Sequence, residues 1–201
     1  KNVAGYDVSR LMPGSLGTLG LILEVSIKIL PLAARKETLK FQIPASQAIH
    51  QMNSWASQPL PLSASTWIGN SQGGELWIRL AGANAAVVAA IQKMQQLLPA
   101  EIIEAHQANS FWESIREQTH PFFSNSNENL WRFAVDPLSE AFASEHATII
   151  EWFGGQRWIK GNLSRKEAQS LATQNQGYAT LYRNNNQDAG SVFTPITANP
   201  L

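Results

Sequence analysis

Apolar and polar residues alternate near the start of the chain in a pattern that is typical of a β-strand. Apolar residues occupy every second position from Leu21 to Ile29, and polar residues such as Glu24 and Lys28 lie between them. Because successive side chains of a strand point to opposite sides, this alternation gives one apolar and one polar face. Pro31 ends the pattern. We therefore predict a strand over residues 21–29.

The next segment predicts six elements in the order strand, helix, strand, strand, helix, strand. Their predicted spans are 35–44, 46–58, 62–68, 75–80, a helix from the N-cap Asn84 to Pro99, and a short strand at 102–103. The strands alternate in polarity, and both helices carry an apolar stripe at helical spacing. A five-residue turn, Asn70 to Gly74, joins the two middle strands.

The same order is predicted a second time, after a linking helix that starts with a capping box at Ser110 and Glu113. The spans are strand 130–135, a short helix 136–142 opened by Asp136-Pro137, strands 147–153 and 157–159, a helix after the capping box Ser164–Glu167, and strand 178–182. The sequence thus predicts an α+β fold of two ferredoxin-like βαββαβ units on antiparallel sheet, with repeats at about residues 35–106 and 129–183.

Tryptophans support the duplication independently of the helix count. Each predicted hairpin carries one tryptophan per arm, Trp67 with Trp77 and Trp152 with Trp158, on either side of a Gly-Gly pair. Cross-strand aromatic pairs stabilise a sheet by roughly 0.2–1 kcal/mol each. A structural role therefore accounts for these residues, and stacking on a substrate is the less favoured alternative.

Composition excludes several classes of function. The chain has 201 residues with 44% hydrophobic and 15% charged residues, a net charge of zero and no cysteine. A chain of this length can bury a sizeable core. The balanced charge gives no basic patch for nucleic acid, and the apolar runs are shorter than a membrane span. Without cysteine, the chain itself supplies no disulfide, thiol nucleophile or iron–sulfur ligand.

A glycine-rich run precedes the predicted strand and is the clearest candidate for binding chemistry. It reads Gly14-Ser15-Leu16-Gly17-Thr18-Leu19-Gly20. Glycines adopt the backbone conformations of tight turns and let a ligand approach the main chain, while Ser15 and Thr18 add hydroxyl donors. Dinucleotide-binding glycines instead follow a strand and open a helix. From spacing alone, a phosphate site and a flexible turn that leads into a strand both remain open.

The residues around this run resemble a known family. Asn2-Val3-Ala4-Gly5-Tyr6-Asp7, the Gly-Ser-x-Gly-Thr-Leu-Gly run and the strand that ends in proline are similar to the end of the FAD-binding domain in vanillyl-alcohol-oxidase (PCMH-type) flavoproteins, most of all the glycolate oxidase E-subunit family. Leu16 stands where catalytic paralogues usually carry glutamate, which favours the E-type over the D-type subunit. The positions that the resemblance implies as FAD contacts are Gly5, Tyr6, Asp7, Gly14, Ser15, Gly17, Thr18, Gly20 and Ile22.

The resemblance also implies a domain organisation. Residues 1–34 match the C-terminal part of the FAD-binding domain, and residues 35–183 match a cap domain that covers the flavin. Residues 184–201 are rich in Asn, Gln and Pro and are expected to be poorly ordered. Relative to the family, the chain resembles a fragment trimmed at both ends, so we expect it to retain no tightly bound FAD by itself.

The function implied by the resemblance is that of an FAD-binding subunit of a glycolate oxidase in glyoxylate metabolism. In the family, glycolate or a similar 2-hydroxy acid such as D-lactate transfers a hydride to FAD. The implied partners are a paralogous D-type flavin subunit and an iron–sulfur subunit, with a cytoplasmic location peripheral to the inner membrane. The fragment is expected to be inactive alone, and a homodimer through exposed strand edges is a further expectation.

Candidate catalytic groups are few, and the sequence does not rank them. The four histidines, at positions 50, 106, 120 and 146, have no metal-ligand spacing, and no metal site is predicted. Four cations on predicted strands could hold a substrate carboxylate: Arg79, Arg132, Arg157 and Lys160. Charged neighbours such as Glu113 and Arg116 are typical of a solvated helix face. We therefore nominate no catalytic residue.

Two other functions remain open from the sequence. One is a non-catalytic binding or assembly module, since ferredoxin-like units with low charge suit such a role. The other is a stand-alone flavoenzyme that acts on a different alcohol or acid. A flavin absorption band in the complete protein would distinguish both flavoprotein hypotheses from the assembly module.

Overall fold

The computed structural model of the protein describes residues 8–15, 17–29, 31–124, 128–142 and 145–184. The chain divides into two compact units, Lys1–Leu32 and Ala33–Leu201. The predicted FAD contacts Gly5, Tyr6 and Asp7 lie outside the described residues, as does the tail from residue 185 onward. None of the helices in the described ranges is both long and apolar enough to cross a lipid bilayer.

The first unit contains a short 3-10 helix, Val8–Leu11, followed by the glycine-rich run. The strand predicted over residues 21–29 is wrong, because these residues have no β-ladder partner among the described residues. Leu21 and Ile29 remain 86% and 83% exposed. Alternation specifies the two faces of a strand, but the hydrogen bonds that define it need a neighbouring chain segment.

The second unit is built on one eight-stranded antiparallel sheet, so the predicted α+β class is confirmed. The strands are β1 (Arg35–Gln42), β2 (Leu62–Asn70), β3 (Gly73–Gly82), β4 (Glu101–Ile103), β5 (Leu130–Ala134), β6 (Ala147–Glu151), β7 (Gln156–Lys160) and β8 (Tyr178–Arg183). The helices are α1 (Ala45–Ala56), α2 (Asn84–Leu97), α3 (Ala105–Arg116) and α4 (Arg165–Gln174). Two further 3-10 turns are Pro121–Phe123 and Trp152–Gly154.

The order of strands across the sheet is β4-β1-β3-β2-β6-β7-β5-β8. Each half therefore has the same connectivity, and the second half runs in mirrored order. The halves meet where residues 66–69 of β2 pair with residues 148–151 of β6. We call these four residue pairs the seam. The assignment of this sheet to a flavoprotein cap domain remains a prediction.

Helices cover both faces of the sheet. On one face, α1 and α2 pack on the apolar positions of β1 to β3, and α4 packs on those of β5, β7 and β8. On the other face, α3 and the turn Pro121–Phe123 cover the sheet around Trp77 and Trp158. Because both faces of several strands are covered, Trp77 and Trp158 lie buried on the side that simple alternation assigns to solvent.

The second half lacks the short helix predicted from Asp136 to Phe142, so its predicted βαββαβ order is wrong in the described residues. Residues 136–142 form a turn and a loop, in which the Asp136 carboxylate accepts a hydrogen bond from the Leu138 N–H at 2.8 Å. The buried Arg157 guanidinium binds the carbonyl oxygens of Ser139 and Glu140. A helix would instead direct those carbonyls to N–H groups four residues onward.

The helix starts that we predicted from capping residues were correct for one helix and wrong for two. At α4 the predicted capping box is confirmed: the Ser164 hydroxyl accepts from the Glu167 N–H at 3.2 Å, and the Glu167 carboxylate accepts from the Ser164 N–H at 2.8 Å. Ser110 does not begin a helix, because α3 already starts at Ala105. Asn84 is the first residue of α2 rather than its N-cap, and its side chain accepts a hydrogen bond from Arg35.

The predicted tryptophan pairs do not form. Asn70 pairs with Gly73, so the turn has two residues instead of five, and Trp67 lies opposite Leu76. Trp77 consequently points to the other face, where it stacks on Phe111 with ring centroids 3.8 Å apart. In the second hairpin, Trp152 belongs to the 3-10 turn and Trp158 lies opposite Ile149. Their structural role is therefore packing on separate surfaces rather than cross-strand pairing.

Candidate functional site

The glycine-rich run of the first unit has the backbone geometry that a tight anion-binding turn requires. Gly14, Gly17 and Gly20 have φ angles of +84°, +78° and +151°. L-amino acids with a Cβ rarely adopt these angles. A Cβ added at any of the three would meet no atom within 4 Å, so the space beside each glycine is open. These three positions therefore combine an uncommon backbone with free approach to the main chain.

Hydrogen bonds within the run show which donors are used internally. The N–H of Ser15 donates to the Met12 carbonyl at 3.1 Å, and the N–H of Thr18 donates to the Ser15 carbonyl at 2.9 Å. The Thr18 hydroxyl also donates to the Ser15 carbonyl, at 2.6 Å. This hydroxyl is therefore engaged inside the turn, whereas the sequence suggested it as a donor to a phosphate.

The remaining donors of the run have no partner in the described part of the chain. Among the described residues, neither the Gly17 nor the Gly20 N–H donates a hydrogen bond, and the Ser15 hydroxyl has no partner. Unpaired backbone N–H groups and hydroxyls are donors of the kind that anionic oxygens accept from. The Ile22 side chain, the last of the positions implied by the resemblance, is 55% exposed.

Arg157, one of the four candidate cations, is buried and has a structural role. Its side chain is fully buried and donates to the Gly154 carbonyl at 3.0 Å and to the Ser139 carbonyl and hydroxyl at 2.8 Å each. The guanidinium also lies 4.6 Å from the centre of the Phe142 ring. Burial lowers the pKa of Arg157 to about 10. Its terminal nitrogens thus hold residues 139 and 140 of the loop 136–142 against the sheet.

The other three candidate cations are partly exposed. Lys160 donates to the Ser124 carbonyl at 3.3 Å. Arg132 donates to the Gln156 side chain at 2.8 Å and lies 6.0 Å from the ring centres of both Trp152 and Trp158. Arg79 lies in a groove on the face that α3 covers. The structure therefore distinguishes Arg79 from the other candidate cations, which the sequence did not rank.

This groove lies beside residues 62–65 of β2, which extend past the end of β6 and have no partner strand on that side within the described part of the chain. Its volume is about 910 Å³. The walls come from β2 and β3, from α3 and from the 3-10 turn Trp152–Gly154, and include Ser63, Ser65, Arg79, Trp112, Trp152 and Trp158. We refer to it as the α3 groove.

The histidines do not form a catalytic or metal-binding group. His50, His106 and His146 are exposed, and the described residues contain no group of three or more His, Cys, Asp or Glu side chains placed to hold a metal ion. His120 is half-buried at the start of the turn Pro121–Phe123, where its Nδ1 accepts a hydrogen bond from the Phe122 N–H at 3.2 Å.

We expect His120 to make the second unit less stable at acidic pH. Burial lowers the pKa of His120 below its ordinary value of 6.5, and the negative charge of Glu75 opposes this only in part. Below pH 6.5 the unfolded chain therefore binds the proton more readily than the folded chain, so stability falls as the pH falls through this interval. The protonated ring would also lose its acceptor for the Phe122 N–H.

Urea unfolding followed by tryptophan fluorescence at about pH 7.5 and about pH 5 measures this effect. His120→Asn is the matched control, because asparagine keeps an acceptor at this cap position and does not titrate. The variant should lose less stability on acidification than the natural chain does. An equal loss in both proteins would show that His120 does not contribute.

Comparisons with known proteins identify relatives. No family model matches the chain. The chain is 36% identical over 198 residues, 98% of its length, to the glycolate oxidase subunit GlcE of Escherichia coli (strain K12), and the match covers 52% of that protein. It is 51% identical over 39 residues, 19% of its length, to the glycolate oxidase subunit GlcD of Bacillus subtilis (strain 168), and this match covers 8% of that protein. The chain thus spans about half the length of the first relative.

Proposed function

Because this chain is a GlcE-like family member over the half of that relative which it spans, we propose that it belongs to the FAD-binding subunit of a glycolate oxidase complex. The reaction would be oxidation of glycolate or a similar 2-hydroxy acid. The partners would be a D-type flavin subunit and an iron–sulfur subunit, and association with the inner membrane would be peripheral and through these partners.

The observation that carries this proposal is the glycine-rich run with its three glycines at positive φ and its unpaired donors. Anions bind where backbone N–H groups converge and no Cβ blocks the approach. Among the described residues, the Gly17 and Gly20 N–H groups and the Ser15 hydroxyl have no partner, and no Cβ blocks the approach to the three glycines. Since GlcE and GlcD are both named as glycolate oxidase subunits, FAD is the nucleotide that fits this proposal best.

The residues of this run would hold and orient the cofactor rather than perform chemistry. Gly14 and Gly17 would let the pyrophosphate lie against the main chain, and Ser15 would donate a hydrogen bond to one of its oxygens. FAD, when bound, supplies the acceptor for the substrate hydride. Orientation of the substrate carboxylate and removal of the hydroxyl proton would fall to other residues, and the described residues give no reason to nominate a catalytic base.

The test is spectroscopic and uses the complete gene product that carries these residues. We expect the purified protein to show a flavin absorption band, and glycolate to bleach that band only when the D-type and iron–sulfur partners are present. A protein without flavin would instead support the assembly module. Bleaching by glycolate or another acid without partners would support the stand-alone flavoenzyme, and either outcome would overturn the proposal.

A further inference from the structure

Arg79 in the α3 groove is a half-buried cation without a counter-ion. Its Nε donates to the Ser63 hydroxyl at 2.9 Å, and its guanidinium lies 5.3 Å from the centre of the Trp112 ring. No carboxylate pairs with it among the described residues. Burial and the positive charge of Arg116 both lower the pKa of Arg79. The terminal nitrogens of the guanidinium therefore keep their donors for a partner from outside the chain.

The other charges in the groove favour an anion with a single charge. Lys36 adds a third cation beside Arg79 and Arg116. Of the two carboxylates that line the groove, Glu113 lies 3.7 Å from Arg116, and Glu151 accepts from the Trp158 Nε1 at 2.8 Å. Both carboxylates are therefore occupied, yet their charges would repel a phosphate dianion more strongly than a carboxylate. A carboxylate also matches the planar fork of arginine.

The size and aromatic content of the groove indicate that the ligand is larger than a two-carbon acid. A volume of about 910 Å³ is typical of sites for drug-sized molecules. Three tryptophans line it, Trp112, Trp152 and Trp158, but Trp112 and Trp158 are only 9% and 4% exposed, so Trp152 supplies the accessible ring. Trp152 is 65% exposed and has a φ angle of +51°, a strained conformation that structures retain mainly where function requires it.

We propose that the α3 groove binds a carboxylate that carries a flat apolar substituent, and that Arg79 pairs with its two carboxylate oxygens. The substituent lies against the exposed ring of Trp152. All the groups involved belong to the second unit, so this inference does not depend on flavin binding by the glycine-rich run.

Isothermal titration calorimetry of the 201-residue chain with 3-phenyllactate tests the proposal. We expect saturable binding of 3-phenyllactate, no binding of 3-phenyllactamide, which lacks the charge, and much weaker binding of glycolate, which lacks the ring. Arg79→Gln should weaken the binding of 3-phenyllactate at least about tenfold, because a charge-assisted bidentate pair is lost. Arg35→Gln is the matched control. Arg35 pairs with Glu37 outside the groove, so this variant should bind 3-phenyllactate as the natural chain does.

Arg79→Lys is a second test variant, for use if Arg79→Gln does not fold. It keeps the charge and the apolar stem but cannot form the bidentate pair, so binding should still weaken. Absence of saturable binding by the natural chain would overturn the proposal. So would equal binding of the acid and its amide, equal binding of glycolate, or unchanged binding in either Arg79 variant.

Discussion

Replacement of Arg157 by methionine should lower the free energy of unfolding of the second unit by about 3–5 kcal/mol. Methionine fills a similar volume but donates no hydrogen bond, so the buried carbonyl of Gly154 and the partly buried carbonyls of Ser139 and Glu140 would lose their partner. Each buried carbonyl left unsatisfied costs about 1–3 kcal/mol. We expect a value near the lower end of the summed cost for the three carbonyls, because the loop 136–142 can move outward and let water reach some of them.

Urea unfolding followed by tryptophan fluorescence measures this loss directly. All seven tryptophans lie between residues 55 and 158, so the signal reports on the second unit alone. Arg157→Lys should be nearly as unstable, because an ammonium cannot reach all these acceptors at once. Arg35→Met is the control; Arg35 forms an ion pair with Glu37 at a partly exposed site, which contributes at most about 1 kcal/mol. If Arg157→Met lost no more free energy of unfolding than this control, our assignment of a structural role to Arg157 would be wrong.

Replacement of Gly17 by valine should remove most of the flavin from the complete gene product. A β-branched residue at the φ angle of +78° is strained, and its side chain would occupy the open space beside the main chain. Both effects act on the approach of the pyrophosphate to the Ser15 and Gly17 donors. We expect at least about a fivefold loss in the ratio of bound flavin to protein, since 1–3 kcal/mol of local strain corresponds to a factor of about 5 to 150 in the binding constant.

Gly73→Val provides the matched control for this second prediction. Gly73 also has a positive φ, +134°, and open space around it, but it is the first residue of β3, next to the turn that joins β2 and β3. The control variant should be less stable and still contain flavin. Retention of stoichiometric flavin by Gly17→Val would contradict the assignment of the glycine-rich run as a nucleotide site. Equal loss in both variants would indicate that the flavin depends on general stability instead.

The strands of the sheet were predictable because their apolar positions alternate, but their pairing was not. A five-residue turn from Asn70 to Gly74 would set Trp67 opposite Trp77, whereas the observed two-residue turn sets it opposite Leu76. A change of one position in register moves a side chain to the other face of a strand. Turn length therefore decided the environment of both tryptophans, and glycine content alone does not fix that length.

The loop 136–142 was beyond prediction from local signals. Asp136-Pro137 is a good helix start, and nothing nearby in sequence argues against a helix. The group that prevents it is the guanidinium of Arg157, about twenty residues onward, whose donors bind the Ser139 and Glu140 carbonyls. A contact at this separation cannot be inferred from propensity.

One candidate site could be predicted from the sequence, whereas the roles of the candidate cations could not. The glycine-rich run was identified from residue types alone, because positive φ angles at Gly14, Gly17 and Gly20 are a property that glycine itself makes accessible. The sequence nominated Arg79 and Arg157 equally. A usable signal did exist: Trp77 is an apolar residue on the supposedly polar side of β3, and it indicates that a second layer covers the face from which Arg79 projects.

The seam between the two halves of the sheet has a kinetic consequence. Its four residue pairs join positions about eighty residues apart in the chain, so they form only after a long loop has closed. The hairpins on either side close locally and much sooner. Molecules arrested before this last step would each present two unpaired strand edges of matching sequence, and exchange of one half between neighbouring chains would then compete with correct closure during refolding at high concentration.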